Sequence, residues 1–135
     1  MKKFKSIVLA VIGLQCSMRV SAEDFKVDGI YYNIASSTDL TVAVTFEGSY
    51  REYSIEYSGI VSIPESVTYN SKTYRVTSIG DNAFYDCSSL TAITIPVSVT
   101  NIGNSAFSGC RSLLSINIPE TVVSLENYVF QNCVS

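Results

Sequence analysis

Three cysteines share one spacing: Cys87, Cys110 and Cys133 follow one another at equal intervals. Cysteines at a fixed interval raise two chemistries, metal binding and disulfide formation. A tetrahedral metal site needs ligands that converge from different directions, commonly as CxxC pairs, and the chain has no CxxC. A single row of thiols does not enclose an ion. An exported chain can oxidise neighbouring thiols, but side chains projecting in parallel from stacked segments need adjustment before an S–S bond closes. The row reads instead as a ladder of small buried side chains. Carboxylates are the next candidates, at Glu47, Glu52 and Glu56. On one strand face Glu52 and Glu56 stand about 13 Å apart by strand rise, beyond the separations that glycoside hydrolysis uses. The chain contains no histidine, so its serines lack the usual activating base and the commonest metal ligand is missing. Asp28-Gly29 is a turn signal and not a calcium loop. No catalytic residue, metal ligand or cofactor is assigned.

The cysteine interval belongs to a longer pattern. "NAFYDCSSLTAITIP", from Asn82 to Pro96, returns at that same interval as "SAFSGCRSLLSINIP", from Ser105 to Pro119. Ile79, Ile102 and Leu125 fall in register, as do Ala83, Ala106 and Val129, and then Phe84, Phe107 and Phe130. Leu90 pairs with Leu113, Ile93 with Ile116, Ile95 with Ile118 and Pro96 with Pro119. The letters between them drift. Fixed apolar and free polar positions mark a solenoid, in which each coil stacks on its neighbours.

Each copy predicts one coil. Leu90-x-x-Ile93-x-Ile95 has the inward spacing of a leucine-rich repeat strand, with Thr94 outward. Pro96 ends the strand because it has no N–H. Val99 and Ile102 turn back into the core. Gly103 relaxes the backbone before "NSAF", which predicts a single helical turn capped by Asn104 or Ser105. An altered earlier coil shows as Val61-Ser62-Ile63-Pro64-x-x-Val67, lengthened by a nine-letter insertion before the next copy. Val67, Tyr69, Tyr74 and Val76 alternate around Asn70-Ser71 and predict a β-hairpin there. Asp28-Gly29, "LTVAVTF" (Leu40 to Phe46) and "EYSIEY" (Glu52 to Tyr57) predict a turn and further strands.

These elements give a mostly β chain with short helical turns. A leucine-rich-repeat solenoid over 61–135 follows a hairpin-rich N-terminal cap over 23–60. The cap would cover an edge that otherwise invites strand pairing. The chain stops within a third coil, before its Leu-x-x-Ile-x-Ile strand, which reads as a truncated member or the front of a longer one. The strand over Leu114–Ile118 is then an open edge through which copies are expected to self-associate, or at which the C-terminus is expected to fray.

The composition suits a packed domain, since 47% of residues are hydrophobic and only 16% charged. Residues 1–22 read as a secretory signal peptide. Lys2, Lys3 and Lys5 precede the apolar run Ile7 to Leu14, and Val20-Ser21-Ala22 supplies the cleavage site before Glu23. Eight apolar residues are too few for a membrane span, which needs ~20. Lipidation at Cys16 fits less well, because Gln15 stands where that signal has a small residue. Cleavage leaves five basic against twelve acidic residues, a net charge of −7. Such a surface repels phosphate backbones, so nucleic acid is not an expected partner.

The pattern carried by Ile95-Pro96, Ser98-Val99-Thr100, Ile102-Gly103, Ala106-Phe107, Cys110 and Leu113 resembles the BspA-like leucine-rich repeats of bacterial surface proteins. "VTYNSKTYRVTSIGDNAF" and "DGIYYNI" resemble that family too, and the likeness spans most of residues 25–133. The resemblance implies a secreted or cell-surface, non-enzymatic binding protein. Some members are adhesins for host matrix proteins such as fibronectin and fibrinogen. A structural spacer on the cell surface is the alternative role.

A ligand would meet the outward strand positions. They are Thr91, Ala92 and Thr94 in one coil, then Leu114, Ser115 and Asn117 in the next. Thr91, Thr94, Ser115 and Asn117 are the candidate binding residues on this face. Tyr31, Tyr32, Tyr50, Tyr53 and Tyr57 form a second candidate, either as an aromatic surface patch or as packing within the cap.

Overall fold

Two tight turns set the N-terminal half. Asp28 and Gly29 both have positive φ, 49° and 82°, and so do Asn70 and Ser71, 49° and 60°. Paired left-handed residues form the type I′ turn whose twist matches a β-hairpin. In the computed structural model, which describes residues 23–48 and 57–134, these turns join β1 (Phe25–Val27) to β2 (Ile30–Ser36) and β5 (Ser66–Tyr69) to β6 (Lys72–Ile79). The strand expected at "EYSIEY" lies, apart from Tyr57, outside the described residues. The same is true of the signal peptide.

β2 pairs antiparallel with β3 (Thr41–Thr45), and β3 runs parallel to β6, with Val42 opposite Val76 and Val44 opposite Ile79. β6 in turn pairs with β8 (Asn101–Ile102), and β8 with β9 (Ser124–Leu125). Ser78, Asn101 and Ser124 therefore stand side by side at the repeat interval. A second, two-stranded sheet joins β4 (Gly59–Ser62) to β7 (Leu90–Thr94), and Thr94 makes a parallel bridge to Asn117. The segment 114–118 contributes that one bridge rather than the expected strand. It pairs on one side only, and Ile116 and Ile118 are half-buried where Ile93 and Ile95 are buried.

Between the sheets lies one core. Ile79, Phe84, Leu90, Val99, Ile102, Phe107 and Cys110 are fully enclosed. Phe84 and Phe107 stack with centroids 5.1 Å apart, and Phe107 and Phe130 follow at 5.8 Å. Cys87, Cys110 and Cys133 line up beside them and form no disulfide. The Cys110 thiol donates to the Phe84 carbonyl at 3.1 Å, and the Cys133 thiol to the Phe107 carbonyl at 3.0 Å. Burial pushes the Cys110 thiol up to about 12, with the neighbouring Cys87 and Cys133 adding to the shift.

The expected helical turn is instead a run of β-turns, and the described residues contain no helix. Ser105 has φ 53° and Gly109 φ 80°, and Asn82 and Asp86 repeat this at 57° and 54°. A left-handed residue at every fourth position breaks a right-handed helix. The amides of Ala83, Tyr85 and Cys87 bond three residues back, to the carbonyls of Gly80, Asn82 and Phe84. The amides between them reach to the next coil: Asn82 to Asn104 at 2.9 Å, Phe84 to Ala106 at 2.8 Å and Asp86 to Ser108 at 2.8 Å. Ser105, Phe107 and Gly109 repeat that reach to Asn127, Val129 and Gln131. Half of the turn's donors are spent within a coil and half between coils.

Gly103 is required for space. A Cβ there would lie 2.7 Å from the Asp81 nitrogen and 2.9 Å from the Gly80 carbonyl carbon. The close approach lets the Asp81 carboxylate accept the Asn104 amide at 2.8 Å, and one coil on the Asn104 side-chain oxygen accepts the Asn127 amide at 3.2 Å.

Candidate binding surface

The outer face of the β4–β7 sheet gathers the outward positions. Leu90, Ile93 and Ile95 point into the core, as does Leu113 one coil on. Two residues separate Leu90 from Ile93, and the pairing with β4 absorbs the extra one. Gly59 is opposite Leu90, but Ile60 is opposite Ala92. Thr91 is thus the bulged residue, and a bulge re-aims side chains beside it. Thr91 and Thr94 are exposed, and so are Ser115 and Asn117. Thr94 and Asn117 are bridged neighbours on adjacent coils.

Two apolar side chains flank them. Ile60 and Leu114 are each 79% exposed. The outward set is therefore hydroxyl, amide and aliphatic, without a charge among the residues named. Such a mixture resembles the uncharged centre of a protein interface more than a small-molecule cleft. Ile60 is not among the contacts expected from sequence. Its signal is faint, because only the match of Val61-Ser62-Ile63-Pro64 to Ile93-Thr94-Ile95-Pro96 sets it against Ala92.

The tyrosine patch is corrected in its described members. Tyr31, Tyr32 and Tyr57 are buried, at 6%, 1% and 4% exposure. Tyr50 and Tyr53 lie outside the described residues. The Tyr31 hydroxyl donates to Glu47 at 2.6 Å and accepts from Lys26 at 2.7 Å. Burial, then the Glu47 bond, raises its pKa. Tyr32 is pushed up to about 12 by burial and by Asp28. These rings pack the N-terminal strands and offer no surface to a ligand.

Strands recurring at the repeat interval, an inward Leu-x-x-Ile-x-Ile row and linking turns define a mostly β leucine-rich repeat protein. The model of the BspA type leucine rich repeat region matches residues 57–135 in six copies. The chain belongs to that family.

Solved structures agree. A leucine-rich repeat protein from Bacteroides ovatus is 39% identical over 82% of this chain and 27% of its own, with a TM-score of 0.70. One from Bacteroides capillosus is 26% identical over 82% of this chain and 93% of its own, at 0.60. A leucine rich cell surface protein from Faecalibacterium prausnitzii is 26% identical over 82% of this chain and 25% of its own, at 0.57. The chain thus spans about a quarter of the length of the Bacteroides ovatus protein. No curated protein matches it. Proteins of this repeat class are generally non-enzymatic modules that bind other proteins through their repeats, and BspA-like members are typically found at the cell surface. Among the described residues no helix is long and apolar enough to cross a membrane.

Proposed function

We propose that this chain is an exported adhesin-like module that binds a protein partner through the outer face of its β4–β7 sheet. The observation that carries the reading is the uncharged, exposed row of Thr91, Thr94, Ser115 and Asn117 across adjacent coils, flanked by Ile60 and Leu114. Desolvating such a row costs less than desolvating charges, and its aliphatic flanks supply the apolar contact. In the proposed organisation, residues 1–22 are a signal peptide, 23–60 a cap and 61–135 the repeats. Extracellular matrix proteins are the proposed ligand class. A pull-down with fibronectin and fibrinogen tests this. Binding should be lost in a Thr94→Arg, Leu114→Arg variant that keeps its fold, and retention of full binding would overturn the surface assignment. Recovery of secreted material beginning at Glu23 tests export.

A second reading concerns the coil that holds β9. Leu125 is 53% exposed and Tyr128 67% exposed. The amides of Tyr128, Phe130 and Asn132, whose counterparts in earlier coils reach onward, find no acceptor among the described residues. Exposed apolar groups beside unpaired donors favour association of copies at this edge. A concentration-independent monomer in sedimentation would refute it.

A further inference from the structure

Away from the β4–β7 sheet, β6 carries a shallow, open trough of about 490 Å³, lined by exposed side chains and the half-buried Leu40. Thr73 and Arg75 form its floor, on the face of β6 opposite the buried Tyr74 and Val76. Asp39 and Leu40 make one wall, from the β2–β3 turn, and Glu65 and Ser66 make the other. Backbone bonds pin both walls to the floor. The Arg75 amide donates to the Leu40 carbonyl at 2.8 Å, and the Val76 amide to the Glu65 carbonyl at 2.9 Å. Asp39 is held by Ser36, whose hydroxyl accepts the Asp39 amide at 3.0 Å and donates to Oδ2 at 2.8 Å. These bonds fix the backbone of the trough and the Asp39 carboxylate, while the Glu65 and Arg75 side chains stand exposed.

The lining is mixed in sign. Arg75 stands in the same trough as two carboxylates, yet makes no ion pair with Asp39, Glu65 or any other described residue. An anionic ligand would meet those two carboxylates, and a simple cation would meet the guanidinium. A metal would need a fuller set of donors, and no three His, Cys, Asp or Glu side chains converge among the described residues. A neutral ligand rich in hydroxyls suits the lining. Each hydroxyl donates to a carboxylate or accepts from the guanidinium, and Ser66 and Thr73 do either. Leu40 supplies an aliphatic surface for the C–H face of a ring. We propose that the trough of Asp39, Leu40, Glu65, Ser66, Thr73 and Arg75 binds a neutral carbohydrate.

The proposal is independent of the protein-binding face, and its test reads different residues. The full chain, labelled with nitrogen-15, is titrated with maltotriose, mannotriose, a galactose disaccharide and N-acetylglucosamine trimer. In parallel it is titrated with a zwitterionic tripeptide, Lys-Gly-Glu. At least one neutral sugar is expected to shift the amides of Leu40, Ser66, Thr73 and Arg75 while leaving Thr91 and Asn117 in place. Arg75→Ala and Glu65→Gln, both at exposed positions, should each weaken that binding by about tenfold or more with an unchanged circular dichroism spectrum. Three outcomes would overturn the proposal: no shift with any sugar, shifts with the tripeptide alone, or sugar binding that survives both substitutions.

Discussion

The ring of Tyr57 lies 4.6 Å from that of Phe84, at the head of a column that continues through Phe107 and Phe130. Tyr57 stands further upstream of Phe84 than the repeat interval would put it, yet it fills the slot that phenylalanine fills in each later coil. Its hydroxyl does what no phenylalanine can. It donates to the Thr45 carbonyl at 2.7 Å and accepts the Tyr31 amide at 3.0 Å. One side chain thus joins the N-terminal strands to the stack.

Tyr57→Phe should therefore destabilise the protein although it keeps the ring. Tyr31 and Thr45 are both buried, so the amide and carbonyl left behind have no water to turn to. Chemical denaturation should show a loss of roughly 1–3 kcal/mol. A loss near zero would mean that the two groups find other partners.

Phe107 is fully buried between two stacked rings. Phe107→Ala should cost roughly 3–5 kcal/mol through transfer and cavity terms. Thr94→Ala, on the exposed face, should change stability by less than about 0.5 kcal/mol. Denaturant melts in the reverse order would show the inward and outward faces to be exchanged.

Ser98 and Thr121 occupy one register position in successive coils, with opposite fates. Thr121 donates its hydroxyl to the Val99 carbonyl at 2.9 Å. The Ser98 hydroxyl is buried without a hydrogen-bond partner. Ser98→Ala should stabilise the chain by roughly 1 kcal/mol, while Thr121→Ala should destabilise it by a similar amount. Thermal melts of the two variants moving in the same direction would refute the contrast.

Cys110 gives the molecule a defined alkaline limit. Its thiol is raised from 9.0 to about 12 by burial, so between those values the folded state holds a proton that the unfolded state releases. The contribution is fully present below pH 9 and is lost as pH rises towards 12. Stability should fall across that window in the native chain, and fall less steeply in Cys110→Ala. Iodoacetamide at mildly alkaline pH should leave Cys110 unmodified until denaturant is added, because the thiolate is the reacting species.

Much of the coil is legible in the sequence because burial forces repetition. Phe84, Phe107 and Phe130 recur since each must meet the next, and Asn70-Ser71 announces its hairpin through residues that tolerate positive φ. The turn run reads as helical from sequence because Ser105 is a poor advertisement for a left-handed backbone. What holds it there is hydrogen bonding to the next coil, which no local propensity records. Gly103 suggests a relaxed backbone, whereas its purpose is clearance for Asp81, a contact that reaches back into the preceding coil. The trough leaves no periodic trace. Asp39, Glu65 and Arg75 come from three separate segments, and polar surface letters drift without penalty until a ligand constrains them.

The turn ladder makes the stack vectorial. The backbone-to-backbone bonds between coils in it all run from an earlier coil to a later one, so their dipoles add head to tail, with the donor side at Tyr128, Phe130 and Asn132. Two copies meeting symmetrically at that side would oppose like to like, donor against donor. A symmetric contact would suit the strand edge at β9 better, where donors and acceptors alternate. Engagement of the turn edge itself requires a chain presenting carbonyls, a head-to-tail contact that extends rather than closes.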